Sequence, residues 1–216
     1  MEQIDYTKLY LLQDEILPII FQEDTEFYLT GGTCLNRFYF EKRYSDDLDL
    51  FTNFSNTFAY SVKDIIDKIT RQNYTLYKQV DSKDFIRIQI TKENSRLQVD
   101  FVNDRVKRFG DFKYHDGYRL DNPLNILSNK ITAVMGRDNP KDIFDICLIN
   151  QNMIIQWDEI LVQAKEKLHF QKEDLLYRLK TFPSSLLNKL NTVDEHFLNS
   201  ITEHLDGIIE EIKKFG

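Results

Sequence analysis

Cysteine is scarce in this 216-residue sequence, which contains only Cys34 and Cys147. Two cysteines cannot form a disulfide framework, and neither lies in a cluster with metal-ligand spacing. They favour a reducing, cytoplasmic setting. Long apolar runs are missing as well, because no stretch approaches the ~18 uninterrupted apolar residues of a membrane-spanning helix. The N-terminus mixes acidic with apolar residues and lacks a basic start, so we expect neither a signal peptide nor a membrane partner.

Positive charge is in the minority, with 28 Lys and Arg against 35 Asp and Glu and a net charge of −7. Proteins that coat nucleic acid without sequence preference normally carry the opposite sign. An acidic total still permits a local basic surface, because nearby charges set the field there. The one locally basic stretch, residues 105–119, holds five Lys and Arg with two interleaved Tyr. It is typical of a surface that follows a nucleic-acid backbone, or of a solvated loop balanced by its own Asp residues.

Glycine is also scarce, with seven residues, so regular elements are expected to dominate the chain. Periodicity predicts helices over 5–22 (interrupted at Pro18), 34–40, 60–72 and 123–136, with another from Pro140. Strands are predicted over 27–30, 47–51, 74–80, 84–91 and 96–102, the last two joined as a hairpin. Beyond about residue 150 only helical periodicity is present. The sequence therefore predicts an α+β domain over 1–150 and a helical extension over 151–216.

The segment from Tyr28 to Phe51, YLTGGTCLNRFYFEKRYSDDLDLF, carries the most information about function. Gly31 and Gly32 stand between a predicted strand and a predicted helix, where backbone N–H groups and the helix dipole favour a bound anion. Thr33 adds a hydroxyl to the same turn. A purely structural Gly-Gly turn is the alternative interpretation.

Asp47 and Asp49 lie two residues apart in a strand-like run, so both carboxylates project from one face while Leu48 and Leu50 face the core. Carboxylates this close repel each other unless a cation lies between them, and hard oxygen ligands suit Mg²⁺. Asp100 occupies a later strand between Val99 and Phe101, where burial is costly without a partner. Three such acids would suit two Mg²⁺ ions and an in-line phosphoryl transfer. The alternatives are a solvated acidic strand end and, for Asp100, a salt bridge to an arginine such as Arg87.

The order strand, Gly-Gly-Thr, helix, Asp-x-Asp and later strand aspartate resembles the nucleotidyltransferase fold of the DNA polymerase β superfamily. That fold is a mixed sheet flanked by helices, here followed by a C-terminal helical bundle. Two segments, GGTCLNRFYFEKRYSDDLDLFT and SNKITAVMGRDNPKDIFDICLI, resemble the AbiEii/AbiGii toxin family. In that family a helix with a lysine precedes a basic segment and an Asp-x-x-Asp pattern. The matching residues in this chain are Lys130, Arg137, Lys141, Asp142 and Asp145.

The resemblance implies a Mg²⁺-dependent transfer of a nucleoside monophosphate from an NTP, with release of pyrophosphate, to an acceptor hydroxyl at the 3′ end of tRNA. A cognate antitoxin protein is implied as a partner. Asp47, Asp49 and Asp100 would hold the metals, and Asp100 would also help to deprotonate the acceptor. Lys130 would offset phosphate charge. The remaining implied residues are the nucleotide-binding Gly31, Gly32, Thr33 (or Ser45) and Arg137, and Asp142, which would orient a cation or act on the acceptor.

Several alternatives stay open. A small-molecule acceptor such as an aminoglycoside, or a protein acceptor, would use the same core. A degenerate domain that binds a partner without catalysis would lack part of the constellation, which is complete here. A haloacid-dehalogenase phosphatase also has Asp-x-Asp, but it needs Thr or Val where this chain has Phe51. Asp142 also suits the first turn of a helix, beside Lys141, without any catalytic role.

Overall fold

A computed structural model of the chain describes residues 4–22 and 25–215. Its contacts separate into two compact units. Unit 1 comprises Met1–Cys34, Ser45–Arg105 and Asp111–Asp121, and unit 2 comprises Leu35–Tyr44, Val106–Gly110 and Asn122–Gly216. Each unit is described by itself below.

Unit 1 is built on a seven-stranded mixed sheet. Its strands are β1 (Tyr28–Thr30), β2 (Asp47–Asn53), β3 (Thr75–Asp81), β4 (Phe85–Lys92), β5 (Ser95–Asp104), β6 (Lys113–His115) and β7 (Tyr118–Leu120). Their order across the sheet is β3-β4-β5-β2-β1-β7-β6. The β2–β5 and β1–β7 pairs are parallel and the other pairs are antiparallel. The predicted strands are all present, and β4 and β5 form the predicted hairpin.

One face of this sheet is the core of unit 1. Residues alternate strictly along β2, so that Leu48 and Leu50 are fully buried while Asp47 and Asp49 stay half-exposed on the other face. The register continues the apolar row across the sheet, since Leu50 pairs with Phe101 of β5 and Phe101 pairs with Ile86 of β4. The alternation predicted from the sequence therefore separates an apolar face from a carboxylate face.

Helices α1 (Tyr6–Ile20) and α3 (Phe58–Arg71) complete unit 1. Pro18 was predicted to interrupt α1, and that prediction is wrong, because the helix continues through it. Proline removes one backbone hydrogen bond, but the helix ends two residues later. The flanking Leu17 and Ile19 are buried, so packing on the core offsets the loss.

The short hairpin β6–β7 was not predicted, since this stretch was interpreted as a basic surface or a solvated loop. Asp116 and Gly117 form its two-residue turn, both with positive φ, at 49° and 84°. Two left-handed residues in an Asp-Gly pair are the signature of the tightest hairpin connection. The turn was therefore visible in the sequence, although the three-residue strands beside it are too short to show alternation.

Unit 2 is helical. The first four residues of α2 (Gly31–Phe38) group with unit 1 and its last four with unit 2. The remaining elements are α4 (Pro123–Gly136), α5 (Pro140–Asn152), α6 (Trp157–Lys167), α7 (Lys172–Lys180), a 3-10 helix (Ser184–Lys189) and α8 (Glu195–Lys213). Helices α4 and α5 begin as predicted, with prolines after the capping residues Asn122 and Asn139, whose side chains accept from backbone N–H groups.

The predicted α+β class, with a mixed sheet and a helical C-terminal region, is confirmed. Contacts group α4 and α5 with the later helices. The functional division at residue 150 stays a prediction. Across residues 4–22 and 25–215, no helix is both long and apolar enough to span a bilayer.

Candidate active site

The Gly-Gly turn and the Asp-x-Asp strand meet inside unit 1. Strand β1 ends at Thr30 and α2 begins at Gly31, whose φ is +70°. A Cβ atom built on Gly31 would lie 2.1 Å from Oδ2 of Asp49. Gly31 is thus required twice, for a left-handed backbone and for the close approach of a carboxylate. The structure brings together the two predicted parts of the site.

Thr33 and Ser45 hold the backbone of this region. The Thr33 hydroxyl donates a hydrogen bond to the Asp47 carbonyl oxygen and is fully buried. The Ser45 N–H donates to the Tyr10 hydroxyl at 3.1 Å, and its carbonyl accepts from Gln13 at 3.3 Å. Both residues therefore fix the start of β2 relative to α1 and α2. Their assignment as phosphate-contacting hydroxyls stays a prediction.

The carboxylate face consists of Asp47, Asp49 and Asp100, with Arg87 beside them. Asp49 is the register partner of Asp100 across the parallel β2–β5 pair, and Asp100 is the partner of Arg87 across β5–β4. Paired residues of neighbouring strands point to the same face of a sheet. The predicted shared face of the three acids is therefore present in the register.

Asp100 carries the salt bridge that was left open as its alternative role. Arg87 donates from Nε to Oδ1 at 2.7 Å and from Nη2 to Oδ2 at 2.6 Å. The hydrogen bond to Asp100, together with the negative charges of Asp47 and Asp49, raises the pKa of Arg87, although partial burial opposes this. A bidentate pair uses both carboxylate oxygens.

Within the described residues, no group of three or more His, Cys, Asp or Glu side chains is arranged to hold a metal ion. The carboxylates of Asp47 and Asp49 remain as the donor set of this face. Two hard oxygen donors suit Mg²⁺, which usually binds through one or two carboxylates, waters and substrate phosphates. The two-metal site on three carboxylates stays a prediction.

The second group of predicted residues lies in unit 2. Four of them, Lys130, Arg137, Asp142 and Asp145, join the unpredicted Arg43 in what we call the buried charge cluster. Lys130 Nζ lies 2.9 Å from Asp142 and 2.8 Å from Asp145. Arg137 donates to both oxygens of Asp142, at 2.7 and 3.0 Å. Arg43 donates to both oxygens of Asp145, at 2.8 and 2.7 Å. Two carboxylates thus connect three cations.

Burial and neighbouring charges shift the pKa values of this cluster in opposite directions, and the effect of the neighbouring charges is the larger. Burial alone would raise the pKa of Asp145, but Arg43 and Lys130 outweigh it and lower that pKa from 3.8 to about 2. Lys130 is desolvated too, yet Asp145 and Asp142 raise its pKa. Asp142 has a lowered pKa, because Lys130 and Arg137 outweigh its desolvation. Asp145, Asp142 and Lys130 are therefore charged at neutral pH.

Asp142 contacts both Lys130 and Arg137 in this cluster, and it also lies in the first turn of α5. Its role in orienting these cations for catalysis stays a prediction. The prediction did not foresee the part played by Arg43 and Asp145. A signal for Asp145 was present, because it lies three residues after Asp142 on one helix face and between two apolar residues. Arg43 gave no signal, since its partner is 102 residues away in the sequence.

Comparison with known proteins identifies solved structures with a similar fold. The chain resembles JHP933 from Helicobacter pylori, with a TM-score of 0.62, 18% identity, and coverage of 99% of this chain and 96% of that one. It also resembles MenT4, a nucleotidyltransferase toxin from Mycobacterium tuberculosis, with a TM-score of 0.55, 12% identity, and coverage of 93% and 82%. At such identities these likenesses establish the fold. No curated protein matches the sequence.

A family model settles the membership that fold similarity alone leaves open. The model described as "Nucleotidyl transferase AbiEii toxin, Type IV TA system" matches residues 19–214, which is most of the chain and includes both the Asp-x-Asp strand and the buried charge cluster. The predicted resemblance is confirmed, and the chain belongs to the AbiEii family of nucleotidyltransferase toxins.

Proposed function

We propose that this nucleotidyltransferase is Mg²⁺-dependent and transfers a nucleoside monophosphate from an NTP to the 3′ end of tRNA. The acceptor hydroxyl forms a bond to the α-phosphorus and loses its proton, while the bond to pyrophosphate breaks. One observation carries the proposal: Gly31 leaves space for the Asp49 carboxylate at the mouth of a helix, in a chain of this family. The tRNA acceptor rests on the family resemblance.

The residues of unit 1 suit a metal-bound triphosphate. Gly31 and Gly32 lie at the start of α2, where backbone N–H groups and the helix dipole favour phosphate oxygens. Asp47 and Asp49, both half-exposed, would hold Mg²⁺. When bound, this ion would neutralise phosphate charge and polarise the phosphoryl oxygens. Thr33 keeps the two carboxylates in place through the backbone of Asp47.

Unit 2 contains cations of two kinds. Lys130 is nearly buried and held by two carboxylates, so its position is fixed and its charge is permanent at neutral pH. Arg137 is exposed over 57% of its side chain while Asp142 holds one edge of its guanidinium. We assign phosphate contact to Arg137, and Asp142 acts as its positioning residue.

A labelling assay tests the proposal. The protein would be mixed with Mg²⁺, total tRNA and each α-labelled NTP in turn, beside Asp49→Asn and the matched variant Asp81→Asn. Asp81 is exposed on the edge strand β3 and pairs with Lys78. We expect label in tRNA with the native protein and with Asp81→Asn. Loss of a positioned metal carboxylate should lower the rate at least about 100-fold in Asp49→Asn.

Other outcomes have definite meanings. Label in tRNA that persists in EDTA would contradict the role of Mg²⁺. Label that appears in protein or in a small molecule such as an aminoglycoside, with none in tRNA, would contradict the acceptor and keep the transfer. Equal labelling by the native protein and Asp49→Asn would contradict the site itself.

The same proposal includes the biological setting. The matching family is described as the toxin of a type IV toxin–antitoxin system, so we infer a cognate antitoxin. Cys34 and Cys147 are both unpaired by disulfide and buried, which suits a reducing cytoplasm. Co-expression with the neighbouring gene, scored by rescue of growth, tests the antitoxin.

A further inference from the structure

Arg87 lies on the carboxylate face of unit 1 and binds Asp100, the residue that was expected to be the third metal ligand. We propose that this face holds one divalent cation, on Asp47 and Asp49, and that the Arg87 guanidinium, which holds both oxygens of Asp100, keeps a second cation off that carboxylate. The inference rests on the proposed metal-dependent function and specifies the metal content of the same site.

The register of the sheet fixes this arrangement. Asp49 pairs with Asp100 and Asp100 pairs with Arg87, so the three side chains form one row across β2, β5 and β4. Asp47 lies in the next row along the same face, opposite Gln98. Asp100 therefore has a carboxylate on one side and a guanidinium on the other.

Both oxygens of Asp100 are engaged by Arg87, at 2.7 and 2.6 Å. The Asp100 side chain is only 9% exposed, which leaves little of it open to a cation from solvent. The guanidinium also lies over the ring of Phe85, with Cζ 5.3 Å from the ring centroid. A planar guanidinium held by a bidentate pair and an aromatic ring is pre-organised. A metal ion on Asp100 would have to share these oxygens with the guanidinium, and the two positive charges would repel each other.

The charges of the face agree with a single ion. Three carboxylates carry −3, and the guanidinium, which stays protonated at any accessible pH, reduces this to −2. One Mg²⁺ balances that charge, whereas two would leave the protein side chains of the face with an excess of +2. Asp47 and Asp49 supply two carboxylate ligands, which is the number that Mg²⁺ commonly takes from protein when phosphates and waters complete its shell.

Counting bound Mn²⁺ tests the inference without measuring turnover. Free Mn²⁺ would be followed by electron paramagnetic resonance as it is added to the protein, with the α,β-methylene analogue of each NTP present in turn. We expect one bound ion per native chain, with a six-line spectrum free of the broadening that arises when two ions lie about 4 Å apart. Two bound and coupled ions in the native protein would overturn the proposal.

Three variants locate the ion. Asp49→Asn should weaken Mn²⁺ binding at least tenfold. Asp100→Asn should leave the count at one and the affinity within about twofold, and a tenfold loss would identify Asp100 as a ligand and overturn the proposal. Arg87→Gln should bring the count to two, because it releases Asp100, and a count that stays at one would refute the part assigned to Arg87.

The result also separates this inference from the function on which it rests. Native protein that binds no Mn²⁺ in an Asp49-dependent way would contradict the proposed metal-dependent function. Two Asp49-dependent ions would contradict only the single-ion site. Thermal melting of each variant shows that it is folded, and the native count alone decides the outcome if Arg87→Gln does not fold.

Discussion

Replacement of Asp145 by Asn removes one negative charge from the interior of unit 2 and keeps the shape of the side chain. The carboxylate is fully buried. It accepts two hydrogen bonds from Arg43, at 2.8 and 2.7 Å, and its Oδ2 lies 2.8 Å from Lys130 Nζ. The variant therefore leaves a fully buried guanidinium facing a neutral amide, and it leaves Lys130 with Asp142 as its one remaining carboxylate in the buried charge cluster.

Two lines of reasoning give the size of the effect. Breaking a buried ion pair by removing one partner costs about 3–5 kcal/mol, because the other charge stays desolvated. The lowering of the Asp145 pKa from 3.8 to about 2 corresponds to roughly 2–3 kcal/mol of preference for the charged form. The first figure is larger because it includes the uncompensated cation. We expect a loss of about 3–5 kcal/mol, a large part of the total stability of an ordinary domain, about 5–15 kcal/mol.

Urea unfolding followed by tryptophan fluorescence measures this loss. Trp157 is the only tryptophan, it is buried in α6 of the same unit, and its indole N–H donates to Glu211. The matched control is Asp67→Asn, which breaks an exposed pair with Lys63 on α3 and should cost less than about 1 kcal/mol. A loss below about 1 kcal/mol for Asp145→Asn would refute the assignment of strong charge pairing to this cluster.

The same residue predicts a pH dependence with a definite sign. A carboxylate whose folded pKa is depressed stabilises the fold above its unfolded pKa, and this stabilisation disappears as pH falls towards the folded pKa. For Asp145 the window lies between about pH 4 and pH 2. The difference in unfolding free energy between native protein and Asp145→Asn should be constant from pH 5 to 7 and should shrink below pH 4. A difference that grows on acidification would contradict the direction of the shift.

The remaining predictions concern single positions. Gly31→Ala places a Cβ 2.1 Å from Asp49 Oδ2 and should lower the transfer rate at least about 100-fold, because it displaces that carboxylate. Gly207→Ala lies on α8 with open space around it and should instead stabilise the chain by about 0.5–1 kcal/mol in urea unfolding. Thr33→Val removes the hydroxyl bonded to the β2 backbone and should cost about 1–3 kcal/mol, since an acceptor stays buried. Burial raises the pKa of Cys147, so Ellman's reagent should label it only after unfolding; labelling of the folded protein would contradict this.

The fold was predictable where a local pattern reports on one face of one element. Alternation in DLDLF gave the two faces of β2, and Asn-Pro pairs at 122–123 and 139–140 gave the starts of α4 and α5. Pro18 misled the prediction, because tertiary packing sustains a helix that local rules would end. The β6–β7 hairpin was missed, because its signal is a turn rather than a periodicity.

Arg87 was named from the sequence as the possible salt-bridge partner of Asp100, and the hairpin explains why it is the residue that meets it. Lys92 pairs with Ser95 across the two-residue turn of the β4–β5 hairpin. Counting outwards from that turn, one residue along each strand at a time, places Arg87 opposite Asp100. The register of a hairpin is set by its turn, so a short connection decides which cation meets this carboxylate. The competing metal-ligand role came from the three strand aspartates and from the family resemblance, and neither contains information about β4.

The buried charge cluster shows the opposite case. Arg43 lies outside any regular element, and its pairing with Asp145 spans 102 residues, so no local rule connects them. What the sequence does reveal is the cost, since an aspartate between Phe144 and Ile146 in a buried helix requires a positive partner. The buried part of the cluster has no net charge, because two cations, Arg43 and Lys130, balance Asp142 and Asp145. The additional positive charge of the cluster belongs to the exposed Arg137. Buried ion pairs give little stability relative to apolar packing of the same volume. Such a cluster is therefore better explained by the fixed position that it gives to Lys130 and Arg137 than by any gain in stability.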